Sequence, residues 1–176
     1  MTDQKEPKRI TVYTRLVGVV EPKSIKEVMK DIDQANAHEK DVDHIVLTIM
    51  SPGGWLYDGF ALFDHIRASK VPIDIIAEGY CASSALMIMQ AGRKRISRPH
   101  TSFMVHPSSH RQEEPQPYEE FLSIVEQYKR NHDLFVTLTI QRSKMDRKEF
   151  EKLYEPRKYL SAQEALKLGF IDEIFA

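Results

Sequence analysis

The run His44-Ile-Val-Leu-Thr-Ile-Met50 is the feature that most limits what this chain can fold into. It is apolar at almost every position, so it suits a strand buried on both faces, as in a parallel sheet covered by helices. It ends at Ser51-Pro-Gly-Gly54. Leu56, Phe60, Phe63 and Ile66 then recur at helical spacing, and Pro72 opens a second short apolar run, Ile73-Asp-Ile-Ile-Ala77. Strand, glycine turn, helix and strand in that order form a βαβ unit, and the expected class is α/β.

The flanking segments fit the same class. Ile10 to Tyr13 and Leu16 to Val20 are β-rich, and Ser24 with Glu27 reads as a capping box opening a helix. Ile25, Val28, Met29 and Ile32 give that helix one apolar face. Beyond Gly79, Ala82 to Ala91 reads as a buried helix ending near Gly92, followed by the basic turn Arg93-Lys-Arg95. Phe103 to His106 reads as a strand end. Pro107 to Pro117 is polar with three prolines, hence a loop or extended excursion. Tyr118 to Ile140 is a long amphipathic helix offering Phe121, Ile124, Val125, Tyr128, Leu134, Phe135 and Leu138 for packing. Asp146 to Leu153 reads as another helix, Ser161 with Glu164 caps a short one ending at Gly169, and Phe170 to Ile174 closes as a strand.

Composition narrows the function classes. At 176 residues the chain fits one domain, 1–176, with 1–9 as a flexible lead. A formal net charge of -1 gives no electrostatic case for nucleic acid or an anionic membrane, and no apolar run approaches the roughly 18 residues of a bilayer span. The single cysteine, Cys81, has no internal disulfide partner, and the polar N-terminus has no apolar leader, so a reducing, cytoplasmic setting is expected. There is no Walker-type loop, no His-Glu-x-x-His and no cysteine pair, so neither a metal nor a cofactor is expected. The cluster Arg93-Lys-Arg95 with Arg98 reads as solvated turn charges. Cys81 reads as a buried packing residue rather than a nucleophile.

What remains is a constellation at strand ends, where open α/β folds place their sites. Strand, glycine turn and helix occur twice, at Ser51-Pro-Gly-Gly54 and at Gly79-Tyr-Cys-Ala-Ser-Ser-Ala85. Glycines at 53 and 54 allow positive φ and bring a backbone N–H to a cleft with no Cβ in the way, as an oxyanion hole requires. Ser83 opens the second helix, the Ser84 amide is a second candidate donor, and His106 ends a neighbouring strand as a general base would. Each piece also has a plain explanation: a turn, a helix cap, one of seven histidines that are more often structural than catalytic. Periodicity and composition alone reach an α/β domain with a candidate serine site.

The order and spacing of these pieces resemble the proteolytic subunit family of the Clp protease. Met50-Ser-Pro-Gly-Gly54 matches that family's Asn-Ser-Pro-Gly-Gly turn, and Gly79-Tyr-Cys-Ala-Ser-Ser-Ala85 its nucleophile turn. Met104-Val-His-Pro107 resembles the catalytic histidine segment, and Tyr159-Leu-Ser-Ala through Gly169-Phe-Ile-Asp172 its helix and closing strand. The resemblance implies a Clp/crotonase-type superhelix of ββα units with Tyr118 to Ile140 as a protruding handle. It implies peptide-bond hydrolysis through an acyl-enzyme, with Ser83 as nucleophile, His106 as base and the Gly54 and Ser84 amides at the oxyanion. It further implies a peptide or unfolded protein as substrate, homo-oligomeric rings with a heptamer as candidate size, and an AAA+ unfoldase as partner, since the chain has no ATPase motif.

Three departures stand beside it. Arg157 falls where the family has the triad aspartate, and a cation cannot accept the imidazole Nδ1–H. Glu155, two residues earlier, is the nearest substitute acid. The family's glycine-rich segment after the histidine, which pairs with substrate, is here Pro107-Ser-Ser-His-Arg-Gln-Glu-Glu-Pro-Gln-Pro117, whose prolines remove strand-edge donors. The Asp-Arg pair associated with ring assembly is absent around Pro156. These departures motivate a competing reading, a non-catalytic Clp-like assembly or regulatory subunit. A third, acyl-CoA chemistry on the crotonase-type fold, is disfavoured by the paired Ser83 and His106.

Overall fold

A computed structural model of the chain describes residues 9–107, 117–154 and 157–175. The element order is β1 (Ile10–Val17), α1 (Pro22–Ala37), β2 (Val42–Ser51), α2 (Leu56–Ala68), β3 (Ile73–Ala82), α3 (Ser84–Met89), β4 (Arg95–Ser97), β5 (Ser102–Val105), α4 (Tyr118–Ile140), α5 (Arg147–Tyr154), β6 (Lys158–Ser161), α6 (Ala162–Leu168) and β7 (Glu173–Ile174). The sheet runs β1-β2-β3-β4-β7, and β5 joins β3 to β6. Every pairing is parallel except β5 with β6. This is the mixed α/β architecture expected, but β2 is buried on one face rather than both: Ile45, Leu47 and Ile49 are fully buried, whereas Val46 and Thr48 opposite are half-buried and Met50 is exposed.

The sheet divides along β3, and that division makes the site. The first half of β3 pairs with β4, Ile75 to Ala77 against Arg95 to Ser97. Its second half turns to β5, with Tyr80 to Ala82 against Ser102 to Met104. The change coincides with a register shift on the β2 side, from Ile49 opposite Ala77 to Ser51 opposite Cys81. β3 thus runs past the strand suggested by its apolar run and ends one residue before Ser83.

Several expectations change in detail. The first β-rich stretch and the start of the second form one strand, β1, which ends at Val17, and Val20 makes an isolated bridge to Gly54. The first helix starts at Pro22, with Glu21 as N-cap and Ser24 as its reciprocal partner, so Ser24 sits at the third helical position rather than at the cap. Proline at the first position, already fixed in φ and lacking an amide that would go unpaired, explains the earlier start. The buried helix after Gly79 begins at Ser84 rather than Ala82, because Ala82 still pairs with Met104. The proposed solvated turn 93–98 includes strand β4, and Arg95 is buried. Its guanidinium meets the Asp172 carboxylate and donates to Gln90 Oε1 at 2.7 Å and to the Gly169 carbonyl at 2.9 Å. Arg93 pairs with Asp74 at 2.6 Å and Arg98 with Glu78 at 3.3 Å. The Asp172 carboxylate offsets the cost of taking the Arg95 cation out of water, whereas Arg93 and Arg98 keep much of their side chains in solvent, as expected of solvated turn charges.

α4 has the expected bounds but two unlike halves. Phe135, Val136 and Thr139 are buried, whereas Tyr118, Phe121, Leu122 and Val125 are exposed. Ser161 and Glu164 form the expected capping box, and α6 stops at Gly169. Cys81 is buried, and burial pushes its thiol well above the usual range, which leaves it inert as a nucleophile.

Candidate active site

Three parallel strands deliver the site from their C-terminal ends. β2 runs into the turn carrying Gly53 and Gly54, β3 into Ser83, and β5 into His106. Ser83 adopts φ 53 and ψ -126, and among the described residues it is the one non-glycine with positive φ. Such a conformation costs a side-chain-bearing residue about 1–3 kcal/mol and persists only where the surroundings hold it. Here they do. Its amide donates to the Met104 carbonyl at 2.9 Å, extending the β3–β5 ladder by one bond, while its own carbonyl accepts from Leu86 and Met87 at the start of α3. The chain therefore turns from strand to helix on one residue, and Ser83 Oγ lies 3.0 Å from His106 Nε2. Both residues are half-buried, open enough for a substrate.

The glycine turn is pressed against the serine turn. A Cβ on Gly53 would stand 2.7 Å from the Ala82 carbonyl oxygen and 2.8 Å from Ser83 Cβ, so no side chain fits. Gly53 has φ 88, and its amide donates to Ser51 Oγ at 3.1 Å. The neighbouring Gly54 amide, expected at the oxyanion, donates to Ser84 Oγ at 2.9 Å. No acceptor among the described residues takes the Ser84 amide. The Ser84 side chain itself is buried, a contact that sequence reasoning missed. Nothing local signals it, because residues 30 apart meet only when the two turns dock.

On the far side of His106, β5 pairs antiparallel with β6, Val105 opposite Lys158. The pairing ends there, and His106 and Arg157 are the residues immediately beyond it on the two chains. Arg157 is exposed. Among the described residues no group hydrogen-bonds to His106 Nδ1. Glu155, the suggested orienting acid, lies outside the described residues, as does 108–116, most of the segment after the histidine. Tyr80 and Tyr159 stand close by. Burial raises the Tyr80 phenol above its ordinary value, the Tyr159 phenol adds to this, and the Arg157 cation opposes it. Among the described residues no cluster of His, Cys, Asp and Glu could hold a metal ion, and no helix is long and apolar enough to cross a membrane.

The sequence pattern of one family, Clp protease, matches residues 9–176. The chain is 30% identical over 136 residues to the chloroplastic ATP-dependent Clp protease proteolytic subunit 1 of Arabidopsis thaliana, an alignment covering 76% of this chain and 69% of that protein. It has the same identity and coverage with the ATP-dependent Clp protease proteolytic subunits of Lobularia maritima and Aethionema cordifolium.

Proposed function

This chain belongs to the Clp protease family, and on that premise we propose that it is a serine peptidase subunit in which Ser83 and His106 cleave peptide bonds through an acyl-enzyme. One observation carries the reading: a serine held at positive φ with its Oγ 3.0 Å from an imidazole Nε2. That distance lies within the range for proton transfer from nucleophile to base. Nε2 takes the Oγ proton as Oγ attacks the carbonyl carbon, and the carbonyl oxygen becomes an oxyanion received by the Gly54 and Ser84 amides. His106 then gives the proton to the leaving amine, which departs as the acyl-enzyme forms. Water repeats the sequence, losing its proton to His106, and releases the carboxylate product with Ser83 restored.

A fluorophosphonate probe tests this without knowledge of the substrate. Label is expected on Ser83 by peptide mapping, and it should vanish in Ser83→Ala. Label on Ser84, or undiminished label in the mutant, sinks the assignment.

The third position divides into two cases. If Glu155 orients His106, Glu155→Gln lowers turnover by roughly 10⁴-fold, the scale seen when a triad acid is lost. If Arg157 marks a weakened triad, that change does little and Arg157→Asp raises turnover, because a carboxylate at that position holds the tautomer. Peptide cleavage by the two variants decides between them. Should neither alter it, orientation comes from backbone, water or another subunit.

The subunit works in a closed ring of like copies and takes unfolded protein from an AAA+ partner in a reducing, cytoplasmic compartment. Support for assembly comes from the first half of α4, whose Tyr118, Phe121, Leu122 and Val125 lie exposed on this subunit, a surface suited to burial between copies. Sedimentation showing only monomer at micromolar concentration argues against the ring. A non-catalytic assembly subunit is the second reading. It is favoured by the Gly54 amide being engaged within the chain, and the same probe experiment decides it.

A further inference from the structure

The peptide unit joining Gly53 to Gly54 is clamped at both ends. Its N–H donates to Ser84 Oγ at 2.9 Å, and its carbonyl accepts from the Val20 amide at 2.9 Å. The Trp55 amide, donating to the Val20 carbonyl at 2.8 Å, pins the next peptide unit to the same neighbour. Ser84 has little room to yield. It is 1% exposed, it is the first residue of α3, and a Cβ on Gly59 would stand 3.3 Å from its own Cβ and 3.1 Å from Met87 Cε. The hydroxyl therefore sits in a closed wall beneath an exposed glycine.

We propose that Ser84 is a positioning residue whose hydroxyl competes with the substrate oxyanion for the Gly54 amide and so sets how completely the oxyanion hole forms. This rests on the peptidase reading. One N–H cannot be given fully to two acceptors. A tetrahedral intermediate has to draw the amide from Ser84 Oγ, leaving that buried hydroxyl with only its long donation to the Gly54 carbonyl at 3.5 Å, and losing a buried hydrogen bond is unfavourable. The penalty falls on the transition state rather than on bound substrate, because the oxyanion exists only there. The side chain therefore limits kcat more than it limits KM.

Removing the hydroxyl should release the donor. Ser84→Ala is expected to raise kcat by about threefold to tenfold, the scale of one net hydrogen bond, with KM unchanged. A peptide aldehyde, whose adduct with Ser83 carries the oxyanion, should bind more tightly by the same factor. Hydrogen exchange at the Gly54 amide, followed by mass spectrometry, should be faster in Ser84→Ala than in wild type. Ser84→Cys, a weaker acceptor of similar size, should fall between wild type and Ser84→Ala in exchange and in kcat.

Unchanged exchange at Gly54 in Ser84→Ala overturns the proposal, and so does a fall in kcat with the melting temperature preserved. If exchange at Gly54 in Ser84→Cys matches wild type, the space left by alanine rather than the lost hydrogen bond is responsible, and the proposal fails. Absence of probe at Ser83 in both wild type and Ser84→Ala sinks the peptidase reading itself. Unchanged exchange with normal labelling sinks only the role of Ser84. Labelling that appears in Ser84→Ala alone supports both.

Discussion

Two turns meet at the centre of this site, and they handle positive φ in opposite ways. At 53 and 54 the chain uses glycine because a side chain has nowhere to go: a Cβ would fall 2.7 Å from the Ala82 carbonyl oxygen at one position and 2.3 Å from the Val20 carbonyl oxygen at the other. At 83 it uses serine in a conformation that glycine would adopt more easily, φ 53. The difference separates two requirements. The first turn must let backbone approach backbone, so the side chain is dispensable and its absence is essential. The second must place one hydroxyl in front of His106, so the side chain is essential and backbone strain is tolerated.

The sharpest way to break the comparison is Gly53→Ala. The new methyl meets the Ala82 carbonyl, Ser83 Cβ and, at 3.0 Å, the Ser84 amide, all on the Ser83 turn rather than on flexible side-chain ends. Crowding and strained φ together should lower stability by about 3 kcal/mol. Displacement of Ser83 by about an ångström should also cut turnover by on the order of 10²-fold. Chemical denaturation and peptide cleavage check the two effects. A stable, active Gly53→Ala shows that the turns are not in the contact described, and the distinction between them collapses.

How much of this was legible in the sequence depends on how local the cause is. β2 was legible because an apolar run that stops at a glycine turn marks a strand, although only the face of Ile45, Leu47 and Ile49 is fully covered. The ends of α4 were legible because Pro117 and the helical spacing are local signals. Which half of α4 packs was not, since Phe135 and Val136 are no more apolar than Phe121 and Val125, and only the rest of the chain decides which are covered. β4 was hidden for the same reason. Arg95 looks like surface charge until Asp172, 77 residues later, arrives beside it. At the site, strand, turn and helix around Ser83 pointed to a candidate serine site, and the fold brings the Ser83 Oγ to 3.0 Å from His106 Nε2. The Ser84 hydroxyl beneath Gly54 had no such signal.

The finer test asks whether Ser83 is strained at all, apart from its chemistry. Ser83→Ala and Ser83→Gly both remove the hydroxyl, so both are expected to lose probe labelling, and activity cannot distinguish them. They differ in the Cβ. Alanine keeps a side chain at φ 53, whereas glycine is free there, so the difference in stability between the two variants reads the backbone strain directly. Against it stands the greater freedom of glycine in the unfolded chain, worth about 0.4–1 kcal/mol. With strain of about 1–3 kcal/mol the balance favours glycine by about 1 kcal/mol. For a chain of this length that corresponds to a melting temperature roughly 2–4 °C higher in Ser83→Gly than in Ser83→Ala. Thermal unfolding of the two inactive variants side by side measures it. Equal stability, or alanine the more stable, means that the surroundings of Ser83 do not force its conformation, and the contrast between the turns reduces to the space around Gly53 and Gly54.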